Sequence, residues 1–122
     1  MKGLALLVFL AATLSVSPLN AAVASRSERS VIRAGHNIAV TTCIACHVVD
    51  SDQTVEPVFG AGIPSFRDIA KRQDATAGSL ADMMKSCGGT KGLAGAHCWP
   101  MNRISDSERA QVAAYILSLR SS

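Results

Sequence analysis

Two cysteines three positions apart, with a histidine directly behind the second, stand a third of the way along the chain: Cys43-Ile44-Ala45-Cys46-His47. This pentad limits the possible folds more than any other feature. Three ligating or nucleophilic side chains within five residues must converge on one object or react with one another. Four meanings are available: a metal knuckle, a redox-active dithiol, a haem attachment site, or coincidence. The rest of the sequence has to separate them.

Covalent haem attachment needs two thiols that reach the two vinyl groups of one porphyrin, and a ligand aimed at its iron. Thiols three residues apart on a chain entering a turn can meet neighbouring edges of the macrocycle. The histidine immediately after them can then swing beneath the ring, and Cys-x-x-Cys-His is the recognised spacing for that arrangement. A thioredoxin-like dithiol expects a βαβ setting with the motif opening a helix, whereas here the motif closes one. A structural zinc site would recruit Cys87 and Cys98, but these are eleven apart, where the second pair of a zinc site ordinarily sits about two to four apart. The pattern favours haem over both rivals.

Residues 1–24 read as an export signal. Lys2 supplies a positive start, Leu4 to Val16 is an apolar run, and Ala22-Val23-Ala24 offers small residues where a signal peptidase reads. The run is short for a bilayer span, so no stable membrane insertion is expected. Cleavage after Ala24 would leave residues 25–122 as one domain in an oxidising compartment, the periplasm. That domain has four aromatics, Phe59, Phe66, Trp99 and Tyr115, which is thin filling for a core and leaves room for a bound group. The net charge of +3 falls to +2 without Lys2, a balance that gives no basis for nucleic-acid binding.

The periodicity is helical throughout, and the expected class is all-α, short helices with long loops. Ser25 and Glu28 form a capping-box pattern ahead of Val31, Gly35, Ile38, Ala39 and Thr42 at helical spacing. The segment from Val48 to Pro64 reads as a loop. Ser65 caps a short helix, and Leu80, Met83, Met84 and Cys87 line one face of another that Gly88 and Gly89 stop. A second irregular stretch runs from Thr90 to Ile104. A final helix opens on Ser105 and Glu108 and carries Val112, Tyr115, Ile116 and Leu119 at i, i+3, i+4 and i+7, with Arg120 near its negative end.

With His47 on one side of the iron, the sixth position decides the chemistry: a second strong protein ligand favours electron transfer, an open one favours gas or peroxide chemistry. Met83 and Met84 sit in an apolar helical pattern where methionine usually fills core. His36 is read as a solvent-facing residue too close to His47 in sequence to reach the far side. His97 is in the right loop. Met101, beside Pro100 and just upstream of the last helix, is the preferred ligand, with His97 kept open.

These residues resemble a class I (mitochondrial-type) bacterial cytochrome c, a small monohaem c-type cytochrome. The likeness spans "AGHNIAVTTCIACH", "GIPSFRDIA", a Met loop and "ISDSERAQVAAYILSLR". It implies that Gly35 packs against Tyr115, that the carbonyl of Pro64 accepts a hydrogen bond from the His47 ring, and that Met101 is the sixth ligand. The proline here precedes Met101, where the family commonly has it following. The implied cofactor is one covalent haem c on Cys43 and Cys46, with iron held by His47 and Met101. Cys87 and Cys98, bracketing the glycine-rich approach to Met101, are expected to form a disulfide in an oxidising compartment. The functional expectation is a monomeric, non-enzymatic carrier of single electrons between redox partner proteins, docked briefly and steered by charge. Lys85, Lys91 and Arg103 are the docking candidates. Two alternatives stay open: a dedicated haem subunit of a periplasmic dehydrogenase complex, and a small haem enzyme or gas binder with an open sixth position.

Overall fold

The computed structural model describes residues 18–86 and 103–121. Four helices follow in chain order: α1 (Pro18–Thr42), α2 (Phe66–Ala70), α3 (Ala77–Ser86) and α4 (Asp106–Ser118), the last closed by a 3-10 turn over Leu119–Ser121. Among the described residues there is no strand, and no helix is long and apolar enough to cross a membrane.

α1 begins at Pro18, well ahead of the start that the Ser25 capping pattern implies. The run Asn20-Ala21-Ala22-Val23-Ala24 carries no helix breaker, and Pro18 suits a first helical turn, where its missing N–H has no intrahelical partner to lose. Ser25 therefore lies inside the helix of the full-length chain. The two other expected caps form as reciprocal boxes. Ser65 Oγ accepts from the Asp68 N–H, and Asp68 accepts from the Ser65 N–H. Ser105 and Glu108 do the same at the start of α4. Thr76 opens α3 by accepting from the Ser79 N–H.

α4 is the hub: it packs along α1, along α3 and against α2. The closest approach is at Gly35. A Cβ there would lie inside van der Waals contact of the Gln111 carbonyl and 2.9 Å from Tyr115 Cβ, so the two helices touch through bare backbone. The expected partnership of Gly35 with Tyr115 is present, extended by one turn to Gln111. Around this contact the core gathers Ala39, Val49, Phe66, Ile69, Ala70, Leu80, Met84, Val112, Ala113 and Ile116. Met84 is buried and Met83 is exposed, so only one of the two methionines fills core. Arg120 does more than complement a dipole. Its guanidinium donates to the carbonyls of Ala70 and Ala75 at 2.7 Å each, tying the end of the chain to the connection between α2 and α3.

Candidate functional site

α1 delivers the chain to the Cys-x-x-Cys-His segment and stops there. The Cys43 N–H still bonds to Ala39 O at 2.9 Å, but the N–H groups of Cys46 and His47 both turn back to Cys43 O, at 3.1 and 2.9 Å. This tight turn gathers the two cysteines and the histidine within one loop. Cys43 is buried, Cys46 half-buried, and neither is in a disulfide.

The long loop that follows is laced to this turn. Phe59 N–H donates to Ala45 O and Phe66 N–H to Val48 O, both at 2.9 Å. Gly62 takes a positive φ of 77°, a conformation that glycine adopts without steric cost, and the chain then runs into Pro64. The Pro64 carbonyl accepts a hydrogen bond from His47 Nδ1 at 2.8 Å. A carbonyl oxygen can only accept, so Nδ1 carries the proton. In the neutral imidazole this leaves the lone pair on Nε2, the state a metal ligand requires. The Phe66 ring packs against the same imidazole, with centroids 5.3 Å apart.

Burial, and after it the charge of Cys46, push the Cys43 thiol up to about 11. A redox-active dithiol needs the opposite, a thiol held below its ordinary value so that thiolate forms near neutrality. Raised in this way, Cys43 is a poor attacking thiol for thiol–disulfide exchange. Two thiols free of a disulfide, beside an imidazole whose tautomer exposes a lone pair, are the donor set that a covalently attached haem uses. No group of three or more His, Cys, Asp or Glu side chains is arranged for a bare metal ion among the described residues.

Behind the histidine lies a second set of contacts, which sequence reasoning missed. Tyr115, on α4, donates its hydroxyl to Val49 O at 2.8 Å, pinning the segment two residues beyond His47. His36, expected to face solvent, is half-buried and partnered. Its Nε2 lies 2.7 Å from Asp50 Oδ2, and its ring meets Tyr115 edge-on with centroids 5.0 Å apart. Burial opposes ionisation of Asp50, but hydrogen bonds from His36 and the Ser51 N–H, with the His36 charge, hold its carboxyl below the usual range. Burial, followed by the charge of Asp50, raises the Tyr115 phenol to about 12. The one sequence signal for this set is that His36 adjoins Gly35 on the face α1 turns to α4.

Met101 and its alternative His97 lie outside the described residues, as do Cys87 and Cys98 with their expected disulfide, Trp99 and Lys91. Of the docking candidates, Lys85 and Arg103 are described and exposed.

A helical chain whose first and last helices cross at a glycine, with two thiols and an oriented imidazole in the turn after the first, has the architecture of a class I monohaem c-type cytochrome. The family model "Cytochrome c" matches residues 32–120, and the chain belongs to the cytochrome c family. It is 35% identical over 102 residues to cytochrome c-552 of Bradyrhizobium diazoefficiens, covering 81% of this chain and 88% of that protein. It is 29% identical over 77 residues to cytochrome c-551 of Pseudomonas aeruginosa, covering 62% of this chain and 66% of that one. No solved structure matches. The cofactor is accordingly haem c, covalently bound, with its iron, and the family's work is electron transfer.

Proposed function

We propose that this is an exported monohaem cytochrome that carries single electrons between redox partner proteins. In this reading Cys43 and Cys46 would hold the haem through thioethers, and His47 Nε2 and Met101 would be the ligands of its iron. The observation that carries the reading is the His47 Nδ1–Pro64 O bond beside two thiols free of a disulfide. When bound, haem supplies a one-electron iron couple. The chain's own residues do the rest. Pro64 holds the imidazole in one tautomer and one rotation, and Phe66 fills the space beside it. Tyr115 anchors the following backbone. A thioether opposite an imidazole, in a site shielded from water, raises the reduction potential. Ligands that stay in place in both oxidation states leave little to rearrange when an electron arrives.

Residues 1–24 would serve as the export signal, and the mature chain would then open α1 at Ser25 with Glu28 completing its cap. The test is direct. Protein produced in a host competent for haem attachment should be red, with a mass equal to residues 25–122 plus one haem. Its ferric spectrum should show the weak far-red band of iron–methionine ligation, and Met101→Ala should abolish it. Absence of that band in the wild type would move the sixth position to His97, and its persistence in Met101→Ala would assign another methionine, Met83 or Met84. Prompt carbon monoxide binding by the reduced wild type would indicate an open sixth position and overturn the carrier assignment.

A further inference from the structure

His47 and the carbonyl that orients it lie 17 positions apart, and the chain between them forms no helix or strand. Its main-chain polar groups must therefore find partners one at a time. Around Val49, two residues past His47, those partners are side chains. Val49 is 1% exposed. Its carbonyl accepts the Tyr115 hydroxyl at 2.8 Å, and its N–H donates to Gln53 Oε1 at 2.9 Å. The other end of the same amide, Gln53 Nε2, donates to Val55 O at 2.6 Å. A main-chain N–H can only donate and a carbonyl can only accept, so the two bonds fix one orientation of the amide. Gln53 is half-buried although Ser51, Asp52, Thr54 and Val55 around it are exposed.

From this geometry we infer that Gln53 is a positioning residue for the His47 imidazole: by clasping Val49 to Val55 it keeps the Pro64 carbonyl on His47 Nδ1. The inference rests on the reading of His47 as a haem ligand. The clasp closes the neck of the loop and leaves residues 56–63 as a shorter arm leading to Pro64. Three main-chain bonds set the path of that arm. Phe59 N–H donates to Ala45 O at 2.9 Å, Gly60 N–H to Pro57 O at 3.2 Å, and Ile63 N–H to Gly60 O at 3.0 Å. Beyond Pro64 the Ser65–Asp68 box starts α2, and the Phe66 N–H returns to Val48 O at 2.9 Å. Pro64 thus hangs between a helix cap and an arm, and Gln53 ties the root of that arm to the segment that bears His47.

Opening the clasp has two physical effects. A longer free loop has more conformations to lose in reaching Pro64. The buried Val49 N–H also loses its acceptor, and reaching water requires the segment to shift. Both loosen the bond between Pro64 O and His47 Nδ1. A hydrogen bond at Nδ1 fixes the tautomer of a ligating imidazole and makes Nε2 the more basic donor. A more basic donor favours ferric iron, which carries one more positive charge than ferrous. Loss of the clasp must therefore expose Nδ1–H to solvent more often and move the reduction equilibrium toward the ferrous form.

The test uses the haem-loaded ferrous protein, with hydrogen exchange at His47 Nδ1–H and Val49 N–H followed by nuclear magnetic resonance. In Gln53→Leu, similar in size but without donor or acceptor, both should exchange about tenfold faster, and the reduction equilibrium should shift toward ferrous. Gln53→Glu keeps the acceptor and loses the donor, so Val49 N–H should stay slow while His47 Nδ1–H quickens. Ser105→Ala, which weakens the distant cap of α4, should leave His47 Nδ1–H slow. Equal quickening in Ser105→Ala would make Gln53 a contributor to overall stability alone and overturn the inference. Unchanged His47 Nδ1–H exchange in Gln53→Leu would overturn it too. Where Gln53→Leu takes up no haem, Gln53→Glu and the unsubstituted protein decide. No quickening at His47 in the former, or a Val49 N–H in the latter that exchanges as fast as exposed loop amides, overturns the clasp. A wild type whose spectra show no histidine ligation would defeat the reading of His47 and this inference together. Normal ligation with His47 Nδ1–H indifferent to Gln53 defeats this inference alone.

Discussion

At Gly35 the first and last helices meet with no side chain between them, and the atom opposite is a main-chain carbonyl that cannot rotate away. Gly35→Ala should therefore cost about 1–3 kcal/mol, the range for overpacking a fitted core, measured as a lower denaturant midpoint with an unchanged slope. Tyr115→Phe keeps the ring but removes the donor to Val49 O. Leaving that carbonyl unpaired should cost about 1–2 kcal/mol. The phenol also gives an alkaline signature. Its folded value is raised to about 12 from an ordinary 10. The neutral form is thus favoured by folding, and its contribution is complete below pH 10 and lost as pH rises from 10 through 12. Wild type should lose stability across that window ahead of the phenolate absorbance of its folded form, which rises only near 12, and Tyr115→Phe should lose this component.

The helices draw much of their definition from their own first turns. Ser105→Ala removes the acceptor for the Glu108 N–H and should cost about 1 kcal/mol, read as a lower melting temperature. Glu108 is held below its ordinary value by hydrogen bonds to the Ser105 N–H and then its hydroxyl. The stabilisation it gives is present above the unfolded carboxylate value and is lost as pH falls through the folded one. Acid destabilisation should consequently be shallower in Ser105→Ala than in wild type. Local signals of this kind made α2, α3, α4 and the Cys43–His47 turn legible in the sequence. Caps, helical spacing and the pentad are all written within a few consecutive residues. The Ser25–Glu28 pattern speaks for a chain that opens at Ser25; in the full-length chain the alanine-rich run ahead of it continues the helix to Pro18. The His36–Asp50 and Tyr115–Val49 contacts were not legible. They join residues 14 and 66 positions apart, and no period or motif records a meeting that depends on how α1 and α4 cross.

Among the described residues few large groups are fully buried: the largest such side chains are the modest Val49 and Val112, while Val58 and Phe59 stand exposed in the loop hydrogen-bonded to the attachment turn. A core of that kind has a small margin of stability, and a covalently held haem adds a large apolar body that the unfolded chain cannot bury. The haem-loaded protein should melt well above a Cys43→Ala, Cys46→Ala protein made without haem. The latter should keep part of its helical far-ultraviolet signal while losing near-ultraviolet structure. Equal melting temperatures would mean that the polypeptide supports its own fold without the cofactor.

The acceptor that orients His47 is a main-chain oxygen. No codon change at position 64 can delete it, because every amino acid brings the same carbonyl. Inheritance therefore guards the path of the backbone through Gly62 and Pro64, not the identity of a polar side chain. Mutational drift at position 64 can turn the His47 ring only by bending that path, which makes its alignment more durable than one entrusted to a replaceable glutamine or serine.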